Sequence, residues 1–182
     1  MDNGAGSYRR FLDGDDSAFD EIMEELFSPL VFFINRYVRD VHTAEDIAID
    51  TMSELIVHKH RYNFKVSLKT YLFMMGRSRA LDYLRRCKIV DLVPLSDAYH
   101  RSDDEADLER LVLADEKHRA VNSAVAILPR DMRDAVHLVY FEEMTYKEAA
   151  KVMKKNVKQV DNLLQRAKKE LHTILREDGE LL

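Results

Sequence analysis

Three features of the 182-residue sequence predict an all-α chain built from two small helical domains. Glycine and proline are scarce, at five and three, and Gly76 is the only glycine between residues 15 and 178. Tight hairpins draw on glycine for positive φ, so a β-rich architecture is disfavoured. Apolar residues recur at three- and four-residue steps through most of the chain, which is the spacing of one helix face. A strongly acidic stretch with few apolar side chains divides the sequence near its middle. With 46% hydrophobic and 34% charged residues, the balance is that of a globular protein.

Phe19, Ile22, Leu26, Leu30, Phe33 and Tyr37 mark the first long helix, with Ser17 and Asp20 as its expected capping pair. Pro29 lies inside this run and is expected to kink or split it. The next helix is expected to open at Thr43. That places Glu45 and Asp46 in its first turn, where the helix dipole favours acids, and Ala48, Met52, Leu55 and Ile56 on its buried stripe. Residues 61–66 show no helical period and read as a loop. Ser67 restarts a helix to about Arg86, with Leu68, Tyr71, Leu72 and Met75 on one side. Pro94 and the run Ser102 to Asp107 mark a partly disordered acidic linker. The expected boundaries are therefore 1–90, a linker at 91–112, and 113–182. Within the last segment Leu128-Pro129 sets a break, and helix resumes near Asp131.

The formal net charge of −5 conceals an alternation. Residues 1–57 carry 4 basic and 13 acidic side chains, residues 58–90 carry 9 and 1, residues 91–116 carry 2 and 9, and residues 144–176 carry 9 and 3. Two basic islands on an otherwise acidic chain suggest two places that meet a polyanion. No run approaches the roughly 20 apolar residues of a membrane span, and the N-terminus lacks the pattern of a signal peptide. Cys87 is the single cysteine. A cytoplasmic protein without membrane insertion fits these facts.

No phosphate-cradling glycine loop, nucleophile elbow or catalytic dyad stands out, so neither an enzyme nor a cofactor or small-molecule substrate is expected. His42, Glu54, His58 and His60 do not suggest a metal site, because residues two apart at a helix end face different ways. Cys87 stands beside Arg85, Arg86 and Lys88, which favour its thiolate, although an inert thiol is the simpler reading.

Thr145-Tyr146-Lys147-Glu148 has the form of a capping box that opens a short helix ending near Met153. Lys154-Lys155-Asn156 breaks the period, and Asn156 with Gln159 offers a second cap. Val157, Val160, Leu164, Ala167 and Leu171 then form a buried stripe. A short helix, a three-residue turn and a longer helix make a helix-turn-helix. Ala149 and Ala150 permit close crossing. The second helix would expose Lys158, Gln159, Asp161, Asn162, Gln165, Arg166, Lys168 and Lys169. Its amides and guanidinium suit base edges in a major groove, and the lysines suit phosphates.

Two stretches resemble bacterial RNA polymerase sigma factors of the extracytoplasmic-function (ECF) type in the sigma-70 family. Leu128 through Ala150, with Leu128-Pro129, Tyr140-Phe141-Glu142-Glu143 and Thr145-Tyr146-Lys147-Glu148-Ala149-Ala150, is similar to the start of region four. Ala44-Glu45-Asp46-Ile47 through Met52, with Ser67-Leu68 through Asp82-Tyr83-Leu84-Arg85-Arg86, is similar to region two. The resemblance implies a factor that binds core polymerase and directs promoter-specific transcription initiation. It implies that Asp46, Asp50 and Glu54 dock on the β′ clamp helices, with the β flap as a second contact. It assigns the minus-ten element to Tyr62, Asn63, Phe64, Lys65, Arg77, Ser78, Arg79, Asp82, Arg85 and Arg86. The minus-thirty-five element falls to Lys158, Gln159, Asp161, Asn162, Gln165, Arg166 and Lys168. Promoter DNA, core polymerase and an anti-sigma factor are the partners it implies. Lys154 stands where the family commonly has a turn glycine, which points to a different backbone path or a strained residue. The alternative is a stand-alone helix-turn-helix regulator that needs no polymerase.

Overall fold

A computed structural model describes residues 4–91 and 123–177, all of whose regular structure is helical. The chain divides into two compact units, one within residues 1–109 and one within 110–182. Asp91 closes a helix, and the rest of the expected linker at 91–112 lies outside the described residues.

The first unit contains α1 (Ala5–Leu12), α2 (Ser17–Val38), α3 (Val41–Val57) and α4 (Leu68–Asp91). Helix α2 is the common partner of the other three. Its stripe of Ile22, Leu26, Leu30, Phe33 and Ile34 is buried together with Ala48, Met52 and Leu55 of α3 and Leu68, Leu72 and Phe73 of α4. Phe33 and Phe73 stack with centroids 4.9 Å apart. Gly76 admits the α4 backbone here: a Cβ at that position would lie 2.9 Å from Leu30 Cδ1 and 3.1 Å from Ile34 Cδ1.

Several expected boundaries shift. Helix α2 runs unbroken through Pro29. The expected Ser17 cap is absent: Asp16 holds the N-cap without a side-chain bond, and the Ser17 hydroxyl instead donates to Asp15 Oδ1 at 2.5 Å. Helix α3 begins two residues before Thr43, because Asp40 takes the Thr43 N–H at 2.7 Å. The Thr43 hydroxyl first, and this N–H second, hold the Asp40 carboxyl below the usual carboxylate range. Glu45 and Asp46 therefore fall beyond the first turn. Ile56 is exposed rather than buried, since the buried stripe runs through Ala48, Met52 and Leu55 and the next residue lies about 100° further round the helix. Ser67 does cap α4, its Oγ accepting from the Thr70 N–H at 3.1 Å, but the helix continues past Arg86 to Asp91.

Helix α1 has no counterpart in the sequence-based reading. Its Tyr8 is fully buried, with the hydroxyl 3.0 Å from the Leu55 carbonyl and 2.9 Å from the Lys59 carbonyl. Burial, with smaller contributions from Tyr71 and Tyr62, pushes the phenol up to about 12, so it remains a donor at neutral pH.

In the second unit residues 123–127 are helical, followed by α5 (Arg130–Val136), a π-helical turn (His137–Phe141), α6 (Tyr146–Met153) and α7 (Val157–Glu177). Leu128, Met132, Ala135 and Leu138 close on Ala149, Ala150 and Met153 of α6 and on Val160, Leu164 and Ala167 of α7. The π turn is closed by the Glu142 N–H donating to the His137 carbonyl at 3.0 Å, and it brings His137 Nε2 to 3.1 Å from Glu142 Oε1 in the interior.

Both expected caps of the second unit are present. The Thr145 N–H donates to Glu148 Oε2 at 3.0 Å, and the Glu148 N–H donates to Thr145 Oγ1 at 3.3 Å. Lys154 adopts the left-handed conformation at φ 55, and the Lys155 N–H reaches back to the Ala150 carbonyl at 2.9 Å. This is a Schellman closure with a lysine where glycine is usual, so the strained-residue expectation holds. Val157 is exposed and Leu171 only half-buried, so the α7 stripe is shorter than the spacing predicts.

Two stability effects follow. Gly76→Leu should overpack the α2–α4 crossing and destabilise by about 1–3 kcal/mol. Thr145→Ala should remove a cap contributing about 1 kcal/mol. Urea unfolding followed by circular dichroism measures both, and wild-type midpoints would refute the respective packing and capping assignments.

Candidate nucleic-acid interface

Helix α3 carries Asp46, Asp50 and Glu54 at successive four-residue steps, but their surroundings differ. Asp46 and Asp50 are exposed, beside the exposed Ile49. The Glu54 side chain is only 18% exposed. It pairs with Arg61 of the following loop, and its Oε2 lies 3.3 Å from Arg79 Nη2 on α4. Glu54 thus ties the loop and α4 to α3, whereas the two aspartates face outward.

The loop at 61–67 is built on an aromatic cluster. Tyr62 is 3% exposed, with ring centroids 5.5 Å from Tyr8, 4.6 Å from Phe64 and 5.1 Å from Tyr71. Its hydroxyl donates to the Val66 carbonyl at 2.5 Å, bridging the two ends of the loop. Tyr62 is therefore an internal strut and presents no open face. Phe64 is half-buried in the left-handed conformation at φ 59. Asn63 and Lys65 are exposed at the tip, and Asn63 Oδ1 accepts the Lys65 N–H at 3.1 Å.

On α4, Arg77 Nε donates to the Tyr37 hydroxyl at 3.1 Å, while Asp82 pairs with Arg85. Arg85 and Arg86 are exposed, and Ser78 and Asp82 are partly so. Ser78, Asp82 and Arg85 follow at helical steps of four and three and share one face. Arg79 is engaged with Glu54, and of the four arginines on this helix Arg85 and Arg86 are the exposed ones.

In the second unit, Lys158, Gln159, Asn162, Gln165, Arg166 and Lys168 are exposed on α7, and Asp161 is half-buried. Gln159 is partly engaged: its Oε1 accepts the Asn156 N–H at 2.9 Å, and its own N–H donates to Asn156 Oδ1 at 2.8 Å. That reciprocal cap sets where α7 begins and leaves Asn162, Gln165 and Arg166 as its outward polar tips. Lys155 Nζ lies 2.9 Å from Asp131 Oδ2, tying the turn to α5.

The sequence-based reading did not include Tyr8 and Arg9. Tyr8, Phe11 and Leu12 at three- and one-residue steps carry a short helical signal, which the nearby Gly4, Gly6 and Gly14 obscure. Among the described residues no group of three or more His, Cys, Asp or Glu could hold a metal, and no helix is long and apolar enough to cross a membrane.

Residues 22–88 match sigma-70 region 2, and residues 118–171 match sigma-70 region 4. Together these matches cover about two thirds of the chain. The chain is 27% identical over 155 residues to the ECF RNA polymerase sigma factor SigM of Bacillus subtilis, covering 85% of this chain and 93% of that protein. It is also 27% identical over 176 residues to the RNA polymerase sigma-H factor of Pseudomonas aeruginosa, covering 90% and 91%. In fold it is similar to the sigma factor RpoE of Bartonella quintana, solved with the anti-sigma factor NepR. The TM-score is 0.65 at 20% identity, covering 87% of this chain and 96% of that one. CnrH, solved with the cytosolic domain of CnrY, gives a TM-score of 0.65 at 19% identity, covering 97% and 96%. Two helical units that match regions 2 and 4 in the family's order, with a capped helix-turn-helix in the second, place this chain in the sigma-70 family as a sigma factor of the ECF type.

Proposed function

We propose that this sigma factor binds core RNA polymerase through its first unit and selects promoters with both units, working in the cytoplasm as a specificity subunit and not as an enzyme. The observation that carries the reading is the pairing of two sites in one chain. One is an aromatic-braced loop followed by a basic helix, suited to unstacked bases and a melted strand. The other is a helix-turn-helix suited to a duplex. A stand-alone duplex binder needs only the second.

The proposed division of labour follows residues 1–90, 91–112 and 113–182 as region two, linker and region four. Asp46 and Asp50 meet the clamp helices of the β′ subunit, and Glu54 supports that face by holding Arg61 and Arg79. At the minus-ten element a flipped base is held at the loop tip by Asn63, Phe64 and Lys65, with Tyr62 bracing them from beneath. Arg85 and Arg86 hold the melted strand's phosphates, with Arg77, Ser78, Arg79 and Asp82 along the same helix. At the minus-thirty-five element α7 enters the major groove. Asn162, Gln165 and Arg166 read base edges there, Asp161 accepts from a cytosine amino group, and Lys158, Gln159 and Lys168 take the backbone. Region four contacts the β flap, and an anti-sigma protein is a further partner.

The wild-type chain should co-elute with bacterial core polymerase on a sizing column at moderate salt. Asp50→Lys should abolish this while keeping the wild-type unfolding midpoint; undiminished core affinity would sink the docking role. Failure of the wild-type chain to associate, together with tight duplex binding by the free protein, would favour a stand-alone regulator. Arg166→Ala should weaken binding to the selected promoter by about 1–3 kcal/mol and relax the preference at one base pair. An unaltered preference would remove that contact.

A further inference from the structure

Helix α1 lies against the loop proposed to capture the minus-ten base, and it carries a cation that no role above uses. Tyr8 reaches the carbonyls of Leu55, in the last turn of α3, and of Lys59, in the turn that leads into the loop. The Leu55 carbonyl is among the last four of α3, which lack partners within the helix. Its ring centroid also lies 5.5 Å from Tyr62 and 6.2 Å from Phe64. Phe64 is an aromatic residue in left-handed backbone, a conformation that persists only where its surroundings hold it. Tyr8 thus fixes both the entry to the loop and the ring at its tip.

The next residue, Arg9, is exposed, and its guanidinium carbon sits 4.9 Å from the centre of the Phe64 ring. Among the described residues no carboxylate pairs with it. Its neighbour Arg10, by contrast, is paired with Glu21 and lies 3.4 Å from Asp15. A guanidinium laid on an aromatic ring keeps its edge N–H donors directed outward, and that fork suits a phosphate. The geometry points to Arg9 as a contact residue of the single-strand site: it pairs with a backbone phosphate of the melted strand beside the base held by Asn63, Phe64 and Lys65. Tyr8 is the positioning residue that sets the distance between them. The inference rests on the reading of this loop as the minus-ten site.

The test uses holoenzyme reconstituted from the full chain and bacterial core polymerase. Its probe is a fluorescent single-stranded oligonucleotide selected on that holoenzyme from a library randomised over twelve nucleotides, with a scrambled strand as control. Arg9→Gln should weaken probe binding several-fold and lower the slope of log affinity against log salt by about 0.7, the loss of one phosphate contact on a single strand. Arg9→Lys, which keeps the charge, should retain the wild-type slope. Tyr8→Phe should reduce the preference for the selected strand over the scrambled one while core binding is unchanged. If Arg9 only props the Phe64 ring, Arg9→Gln will reduce the strand preference without moving the salt slope, and the proposal is overturned. Phe64→Ala separates the two readings. Loss of strand preference in Phe64→Ala with an unmoved slope in Arg9→Gln rejects the Arg9 contact and leaves the loop reading standing. Wild-type preference in Phe64→Ala rejects the loop reading, and the Arg9 contact with it.

Discussion

The first unit depends on how closely α4 can lie on α2. With no sheet to gather the chain, each helix must bury its apolar stripe on another helix, and α2 offers the surface that the other three share. Gly76 removes the one side chain that would hold α4 away from Leu30 and Ile34, and the stacked Phe33 and Phe73 fill the adjacent layer. Interhelical spacing is set by the side chains at the crossing, so a missing Cβ there fixes where the rest of α4 runs. Arg79 reaches Glu54, and Arg85 and Arg86 face outward, because of that placement.

Charge in this unit is sorted by geometry as much as by sequence. Three carboxylates at four-residue steps on α3 look equivalent, yet one is half-enclosed by arginines from two other elements and two are free to meet a partner. A partly enclosed carboxylate with two guanidinium partners from different elements is a tie between those elements, whereas the exposed pair faces solvent. The loop shows the same sorting among aromatics. Tyr62 turns inward and ties its hydroxyl to Val66, which leaves the polar tips of Asn63 and Lys65 to face solvent.

The second unit rests on local backbone chemistry. Two reciprocal caps, Thr145 with Glu148 and Asn156 with Gln159, begin α6 and α7, and a left-handed Lys154 turns the chain between them. Each satisfies backbone donors or acceptors that a helix end leaves open. With the caps set, the small side chains of Ala149 and Ala150 let α6 pack closely, and the residues of α7 opposite Val160, Leu164 and Ala167 face outward.

The sequence by itself determined what depends on near neighbours: the helical class, the helix-turn-helix with both caps, the Ser67 start of α4, and the basic residues on α4 and α7. These follow from side chains acting on backbone within one turn and from apolar spacing, which are local properties. It misplaced the α2 and α3 caps, where Asp16 and Asp40 took the positions given to Ser17 and Thr43, because several short polar residues at each junction could serve. Pro29 did not divide α2, since burial along the whole stripe outweighs one missing N–H. Only the tertiary structure decided that Glu54 is an internal tie, that Tyr62 is buried, and that a short N-terminal helix braces the loop through Tyr8. Each of these includes at least one contact between residues 25 or more positions apart, which no local pattern encodes.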